Sequence, residues 1–239
     1  MSWCPATGAW GRPVDPSLTT RAVEFNDLEA LERALAFGDV ACVLTEPALT
    51  NVGIVLPVEG FHDGMRELTR EHGALLVIDE THTLCCGPGG YTAQHGLEPD
   101  LVTIGKPIAG GIPVGAYGMS EEVARRVVDH TTWDHADEGG VGGTLAGNAL
   151  SVAAIRATLA EVLTEQAFEH MVSLARRFEA GVEAAIEAHG LPWQVTRLGC
   201  RASTCSPPNG RAPAPRRPPR STQSSTASCT STCSTAGSS

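Results

Sequence analysis

Lysine is almost absent from this sequence: among 239 residues only Lys106 carries an amine side chain, against sixteen arginines. Arginine holds its charge at any working pH, whereas a lysine amine can shed its proton and attack a carbonyl. A chain that uses arginine everywhere else therefore has a reason to keep an amine at one place, unless Lys106 is only a surface residue at a strand end. Its neighbours have to decide. Aromatic residues are also scarce, at 5%, so a core must be built from Ala, Val, Leu and Ile. No apolar run reaches 18 residues, which excludes a transmembrane helix. No basic-then-apolar leader opens the sequence, so no secretory signal is expected and a cytoplasmic setting is. The eight cysteines are then read as free thiols rather than a disulfide framework. Acidic residues are missing from the last 39 positions; all 27 lie within 1–200, beside 12 basic residues, a balance of −15. So acidic a body argues against nucleic acid or an anionic membrane as partner.

What is present is an alternation of strand and helix patterns. Residues 1–21 read as irregular. A short strand is expected at Ala22–Phe25, and a helix capped by Asn26 or Asp27 over Leu28–Phe37. Val40–Glu46 and Ala74–Asp79 are continuous apolar runs, which suit strands covered on both faces. Between them Glu59–His72 reads as a helix. Leu101–Ile104 and Val114–Gly118 are two more strands, followed by helices over Glu121–His130, Leu145–Leu163 and Glu165–His189. Strands joined through helices imply right-handed crossovers and a mainly parallel sheet. Ligands of such sheets sit beyond the carboxyl ends of the strands. Glu46, Asp79 and Lys106 all fall at that edge.

An amine and a carboxylate there suggest Schiff-base chemistry with an aldehyde cofactor. Pyridoxal phosphate works as an electron sink when its ring nitrogen stays protonated, which a buried carboxylate ensures. Asp79 is the candidate, the alternative being a loop cap. A metal site fits the pattern poorly. His82, Cys85, Cys86 and His95 lie close in sequence, but adjacent cysteines do not match structural zinc spacing. Cys85 as a nucleophile has no histidine placed beside it by sequence. Gly87-Pro-Gly-Gly90 reads as a turn, because no helix pattern follows it directly. His62, His72, His130 and His189 read as surface or cap residues.

Five ordered motifs then carry a resemblance. They are Glu46-Pro47 with Asn51-Val-Gly53 and Pro57; Ala74-Leu-Leu-Val-Ile-Asp79-Glu80-Thr81; Pro99-Asp-Leu-Val-Thr-Ile-Gly-Lys106; Gly110-Gly-Ile-Pro-Val-Gly-Ala-Tyr-Gly118; and Gly143-Thr-Leu-Ala-Gly-Asn148. Over about residues 22–200 the chain resembles the class III pyridoxal-phosphate aminotransferases, including the glutamate-1-semialdehyde aminomutase type. The resemblance implies an α/β, three-layer fold with the mainly parallel sheet of a fold-type I large domain. Residues 22–163 would be part of that cofactor-binding domain, and 164–200 the start of a small C-terminal domain. It implies that Lys106 is the Schiff-base lysine, that Asp79 pairs with the ring nitrogen, and that Thr81 packs on the ring. His82 would lie near the ring hydroxyl, where histidine is an unexpected residue. Thr144 would reach the cofactor phosphate of a neighbouring subunit in a homodimer, and Glu46 would lie at the substrate end. The expected reaction moves an amino group between an amine or amino acid and an oxo acid or aldehyde.

Two departures stand out. The family's phosphate-cradling Ser-Gly-Thr segment and its ring-stacking aromatic are not matched by Met1–Thr20 and are expected upstream of it. Residues 201–239 hold no Leu, Ile, Val, Met or aromatic residue, so a disordered Ser/Thr/Pro/Arg tail is expected there, and the abrupt change fits out-of-frame translation. These departures keep two alternatives open: an inactive or dimerising remnant of such an enzyme, and an aminomutase.

Overall fold

The computed structural model describes Asp15, residues 18–130, residues 145–205 and the backbone of 230–235. In chain order the elements are β1 (Thr20–Glu24), α1 (Leu28–Leu35), β2 (Val40–Thr45), α2 (Phe61–Glu71), β3 (Leu75–Asp79), α3 (Gly90–His95), β4 (Leu101–Ile104) and β5 (Ala116–Met119). Then come α4 (Glu121–His130), α5 (Ala149–Ala157), α6 (Glu165–Ala188), β6 (Gln194–Leu198), β7 (Arg201–Cys205) and β8 (Thr230–Thr235).

One sheet runs β1-β8-β2-β3-β4-β5, and β6 and β7 form a separate antiparallel hairpin. β2, β3 and β4 are parallel, β5 runs antiparallel to β4, and β8 is antiparallel to both β1 and β2. The fold is α/β, as the alternating pattern requires. α1 starts where Asp27 caps it, its carboxylate accepting the Ala30 N–H at 2.8 Å. α1 buries Leu31 and Leu35, four residues apart, and α2 buries Phe61 and Met65. The two helices close on each other at Gly64, where a Cβ would overlap the Leu28 side chain. Together they cover Val43, Leu76 and Ile78 of the sheet, and Phe25 meets Phe61 edge-on at 4.8 Å between ring centroids. Among the described residues no helix is long and apolar enough to cross a membrane.

Three expectations change. Burial along β2 alternates rather than continuing, and Leu44 stays 39% exposed. The helices packed on β2 lie on the Val43 side. Second, α5 begins only at Ala149, after a turn capped by Asn148, whose side chain accepts the Ser151 N–H. Third, strands occur within the segment expected to be disordered. β7 continues the hairpin begun by β6, and β8 lies between β1 and β2. The expectation rested on missing apolar side chains, but strand pairing satisfies backbone N–H and C=O groups. A Thr-rich run such as Thr230–Thr235 can ladder between two open edges without burying a large side chain.

Candidate active site at the carboxyl edge of the sheet

Three neighbouring parallel strands end side by side. Asp79 closes β3 and pairs in register with Thr103 of β4. Lys106 follows three residues later, and Glu46 directly follows β2, whose Thr45 is in register with Ile78. Adjacent strands lie roughly 4.8 Å apart, so two carboxylates, Glu46 and Asp79, and then the Lys106 amine are arrayed across one sheet edge. Lys106 begins a tight 3₁₀ turn with its backbone in the left-handed region, φ 49°. Apart from Asn26, it is the one non-glycine residue with positive φ among those described. A left-handed conformation costs an ordinary residue about 1–2 kcal/mol, and such strain concentrates at functional positions. A glycine would relieve that strain but remove the amine.

The Asp79 carboxylate is oriented by its own chain: Oδ1 accepts the Thr81 N–H at 2.9 Å. Between Asp79 and Thr81 the chain turns Glu80 the other way. Glu80 is 1% exposed and accepts from Thr83 Oγ1 (2.5 Å), the Tyr91 N–H (3.0 Å) and the Thr92 N–H (2.5 Å). Its backbone N–H donates to the Thr103 carbonyl at 2.8 Å. This explains why α3 directly follows Gly87–Gly90, where the sequence reading expects a turn with no helix. The cap comes from a carboxylate ten residues upstream of Gly90, outside the local pattern.

A hydrogen-bonded relay joins the other two predicted residues. Thr50 Oγ1 donates to Glu46 Oε2 at 2.5 Å and stands 2.6 Å from His82 Nδ1. The hydroxyl has one hydrogen, and the carboxylate can only accept. His82 Nδ1 is therefore the donor to Thr50, and in the neutral ring Nε2 carries the lone pair. Burial, reinforced by the Lys106 and Arg201 charges, holds His82 below its ordinary value, against the opposing pull of Glu46 and Asp79. Thr50 was not legible as a site residue, because nothing in its spacing from His82 signals contact.

A cavity of about 240 Å³ lies beside this edge. Thr81, His82, Lys106 and Arg201 face it from the polar side, and Leu84, Phe168 and Met171 from the apolar side. Arg201 and Cys200 are the residues sequence reasoning missed, since both fall where the composition shifts. Cys85 and Cys200 are in thiol–thiol contact, and the Cys200 N–H donates to the Cys85 carbonyl at 3.0 Å. Contact with Cys200 lowers the Cys85 pKa, but contact with Cys86 and burial outweigh it, and the thiol is pushed up to about 12. His62 is not a surface residue as expected: it is half-buried with Nε2 2.8 Å from the Pro47 carbonyl, and burial lowers its pKa. Thr144 lies outside the described residues. Glu46, Asp79, Thr81, His82 and Lys106 are thus gathered at one sheet edge, with the amine one strand from Asp79 and the imidazole held from the Glu46 side.

Comparison with known proteins bears on this edge. The family profile described as Aminotransferase class-III matches residues 15–207. Glutamate-1-semialdehyde 2,1-aminomutase 2 of Bacillus thuringiensis (strain Al Hakam) is 41% identical over 196 residues, covering 79% of this chain and 43% of its own length. A crystal structure of a glutamate-1-semialdehyde aminomutase from Pseudomonas aeruginosa PAO1 superposes with a TM-score of 0.79 at 55% identity, covering 88% of this chain and 47% of that one. A variant of the latter was crystallised in complex with PMP. An omega-transaminase from Sphaerobacter thermophilus superposes with a TM-score of 0.63 at 34% identity, over 73% of this chain and 40% of that one. This chain spans less than half the length of the curated relatives it matches. A profile match over most of the sequence, on a sheet that sets lysine and aspartate at the same edge, establishes that the chain belongs to the aminotransferase class-III family.

Proposed function

We propose that this chain carries the lysine-and-carboxylate part of a pyridoxal-phosphate site that moves an amino group between an amine or amino acid and an oxo acid or aldehyde. The observation that carries the reading is the strained Lys106 turn one strand from Asp79. When bound, pyridoxal phosphate supplies an electrophilic carbonyl and an electron sink. Lys106 Nζ would be the group that holds the cofactor's carbonyl and that carries a proton at the reacting centre. Asp79, with Oδ1 fixed by the Thr81 N–H, keeps a ring nitrogen protonated through its carboxylate. Thr81 supports the ring, and His82 presents Nε2 as an acceptor toward a ring hydroxyl while Thr50 and Glu46 fix its tautomer. Thr144 belongs to the same proposal as a phosphate contact across a homodimer, with a cytoplasmic setting.

A second reading, amino transfer within one molecule, is favoured by the aminomutases at 41% and 55% identity. The test is direct. Protein mixed with pyridoxal phosphate and reduced with borohydride should carry the cofactor mass on the peptide containing Lys106, and Lys106→Ala should carry none. Labelling at the N-terminal amino group in place of Lys106, or equal in the variant, would refute the proposal. Exchange of nitrogen-15 between donor and product in the presence of competing unlabelled donor then separates transfer between molecules from transfer within one.

A further inference from the structure

Three thiols beside the sheet edge take no part in amino transfer. Cys85, Cys86 and Cys200 are free and half-buried, and the fold brings them together from distant parts of the chain. Gly199 turns the β6–β7 hairpin in the left-handed region, φ 57°. A Cβ there would overlap the Cys85 carbonyl and fall 2.6 Å from Cys86 Cα. The Cys200 N–H donates to the Cys85 carbonyl at 3.0 Å. The hairpin therefore seats its backbone on the loop after β3, and that seat puts the Cys85 and Cys200 thiols in contact. Cys85 Sγ also donates to the Leu198 carbonyl at 3.4 Å.

The three thiols do not face the same way. Cys85 and Cys200 line the cavity of about 240 Å³ beside Lys106. Cys86 does not line it and packs instead against Ala48, Tyr91 and Leu198. Leu84, Leu163, Phe168 and Met171 form the cavity's apolar wall. Among the described residues no three of His, Cys, Asp and Glu are placed to hold a metal ion. A ligand for this soft pair must then need only two sulfurs and bring its own third substituent. A bare soft cation would leave the apolar wall unused. Trivalent arsenic carrying an aryl group uses both sulfurs and the wall.

Protonation also sorts the ligands. Contact with Cys200 draws the Cys85 pKa down, but contact with Cys86 and burial prevail and push it up to about 12. Contact with Cys85 and burial push the Cys200 thiol up as well. Both thiols stay protonated near neutrality, which protects them from electrophiles that attack one thiolate at a time. Condensation with an arsonous acid releases no proton, so its equilibrium carries no such penalty. Two As–OH bonds and two S–H bonds break, two As–S bonds form, and two waters leave. Arsenic remains trivalent, and nothing is oxidised or reduced.

We propose that Cys85 and Cys200 form a dithiol site that captures trivalent arylarsenicals, with the aryl ring seated against Leu84, Phe168 and Met171 and covering Lys106. The inference stands apart from the amino-transfer reading and needs no bound cofactor.

Phenylarsine oxide, hydrated in water to phenylarsonous acid, is the probe. In the full chain labelled with carbon-13 at cysteine Cβ, titration should move the Cys85 and Cys200 signals together, with an end point at one equivalent. Movement of the Cys86 signal in place of Cys200, or of another cysteine in place of Cys85, would overturn the proposal, and this measurement needs no variant to fold. Cys85→Ala and Cys200→Ala should each weaken binding roughly 10²–10⁴-fold, because the second As–S bond forms at high effective concentration. Cys205→Ala should leave it unchanged. A loss of less than about tenfold in either of the first two would refute the paired site. Phenylarsine oxide should bind on the order of tenfold more tightly than methylarsine oxide, for the apolar surface a ring buries beyond a methyl group; equal affinities would refute the seat of the ring. Lys106 is the one lysine, so its acetylation by a succinimidyl ester can be read against the N-terminal amine. The adduct should slow it severalfold, and an unchanged ratio would show that the ring does not cover Lys106 and would overturn the proposed seat.

Discussion

Glu80→Gln is the perturbation that tests how the site is supported. The side chain keeps its size, so no cavity opens, and the change isolates one oxygen and one charge. In the wild type Oε2 accepts from Thr83 and the Tyr91 N–H, and Oε1 from the Thr92 N–H. Gln keeps one oxygen. With that oxygen at the Thr83 and Tyr91 position, the new NH₂ group points at the Thr92 N–H and one donor is left facing another. Losing a bond to a charged acceptor costs about 1.5–3 kcal/mol, and converting the other two to neutral bonds costs about 0.5 kcal/mol each. The sum is about 3 kcal/mol, a large share of a domain stability of roughly 5–15 kcal/mol. Equilibrium urea unfolding followed by far-UV circular dichroism reads it as a shift in midpoint at constant slope. Thermal melting should fall by about 6–12 °C. Thr83→Val removes one donor to that carboxylate and should cost about 1.5–3 kcal/mol. If Glu80→Gln shifts stability by less than about 1 kcal/mol, Glu80 does not anchor α3 and the argument collapses.

Two further outcomes can be stated. Arg66 grips Asp100 through two bonds of 2.6 and 3.0 Å, and Asp100 Oδ2 also accepts the Leu76 N–H at 2.7 Å. Burial by itself would raise the Asp100 pKa, but the Arg66 fork and the Leu76 N–H together lower it. The unfolded chain therefore binds the proton more readily, so this stabilisation is present above about pH 4 and is lost as pH falls through the depressed folded value. The urea midpoint should drop less between pH 5 and pH 3 in Asp100→Asn than in wild type; parallel pH profiles would refute the pairing. Cys85, with a pKa of about 12, should react with iodoacetamide at pH 8 on the order of a thousandfold more slowly than an ordinary thiol, by peptide mass spectrometry; a normal rate would contradict its burial against Cys86 and Cys200.

How far the sequence reached can be argued from single residues. Val40–Thr45, Leu75–Asp79 and Leu101–Ile104 announce themselves because parallel strands need apolar β-branched runs, and the run ends fix where Glu46, Asp79 and Lys106 stand. Contacts between distant segments left no such trace. Thr50 lies 32 residues from the imidazole it holds, and the α3 cap is supplied by Glu80 rather than by a local Ser or Asp. Arg201 falls in the tail by composition, which is a property of a window, while its place at the cavity depends on which residue the hairpin turn delivers there. β8 escaped because ladder pairing is a backbone property that side-chain hydropathy does not report.

The seat of Gly199 against Cys85 also sets an order of assembly. The strand ends carrying Asp79 and Lys106 are separated by fewer than thirty residues and close a short loop. The contact that completes the cavity joins Cys85 to Cys200, 115 residues apart, and must overcome a larger closure entropy before it returns any packing energy. During refolding the amine and its carboxylate are therefore in register before the wall bearing Arg201 arrives. A chain caught at that stage would hold Asp79 and Lys106 on neighbouring strands while the cavity beside them still lacked the side that β7 closes.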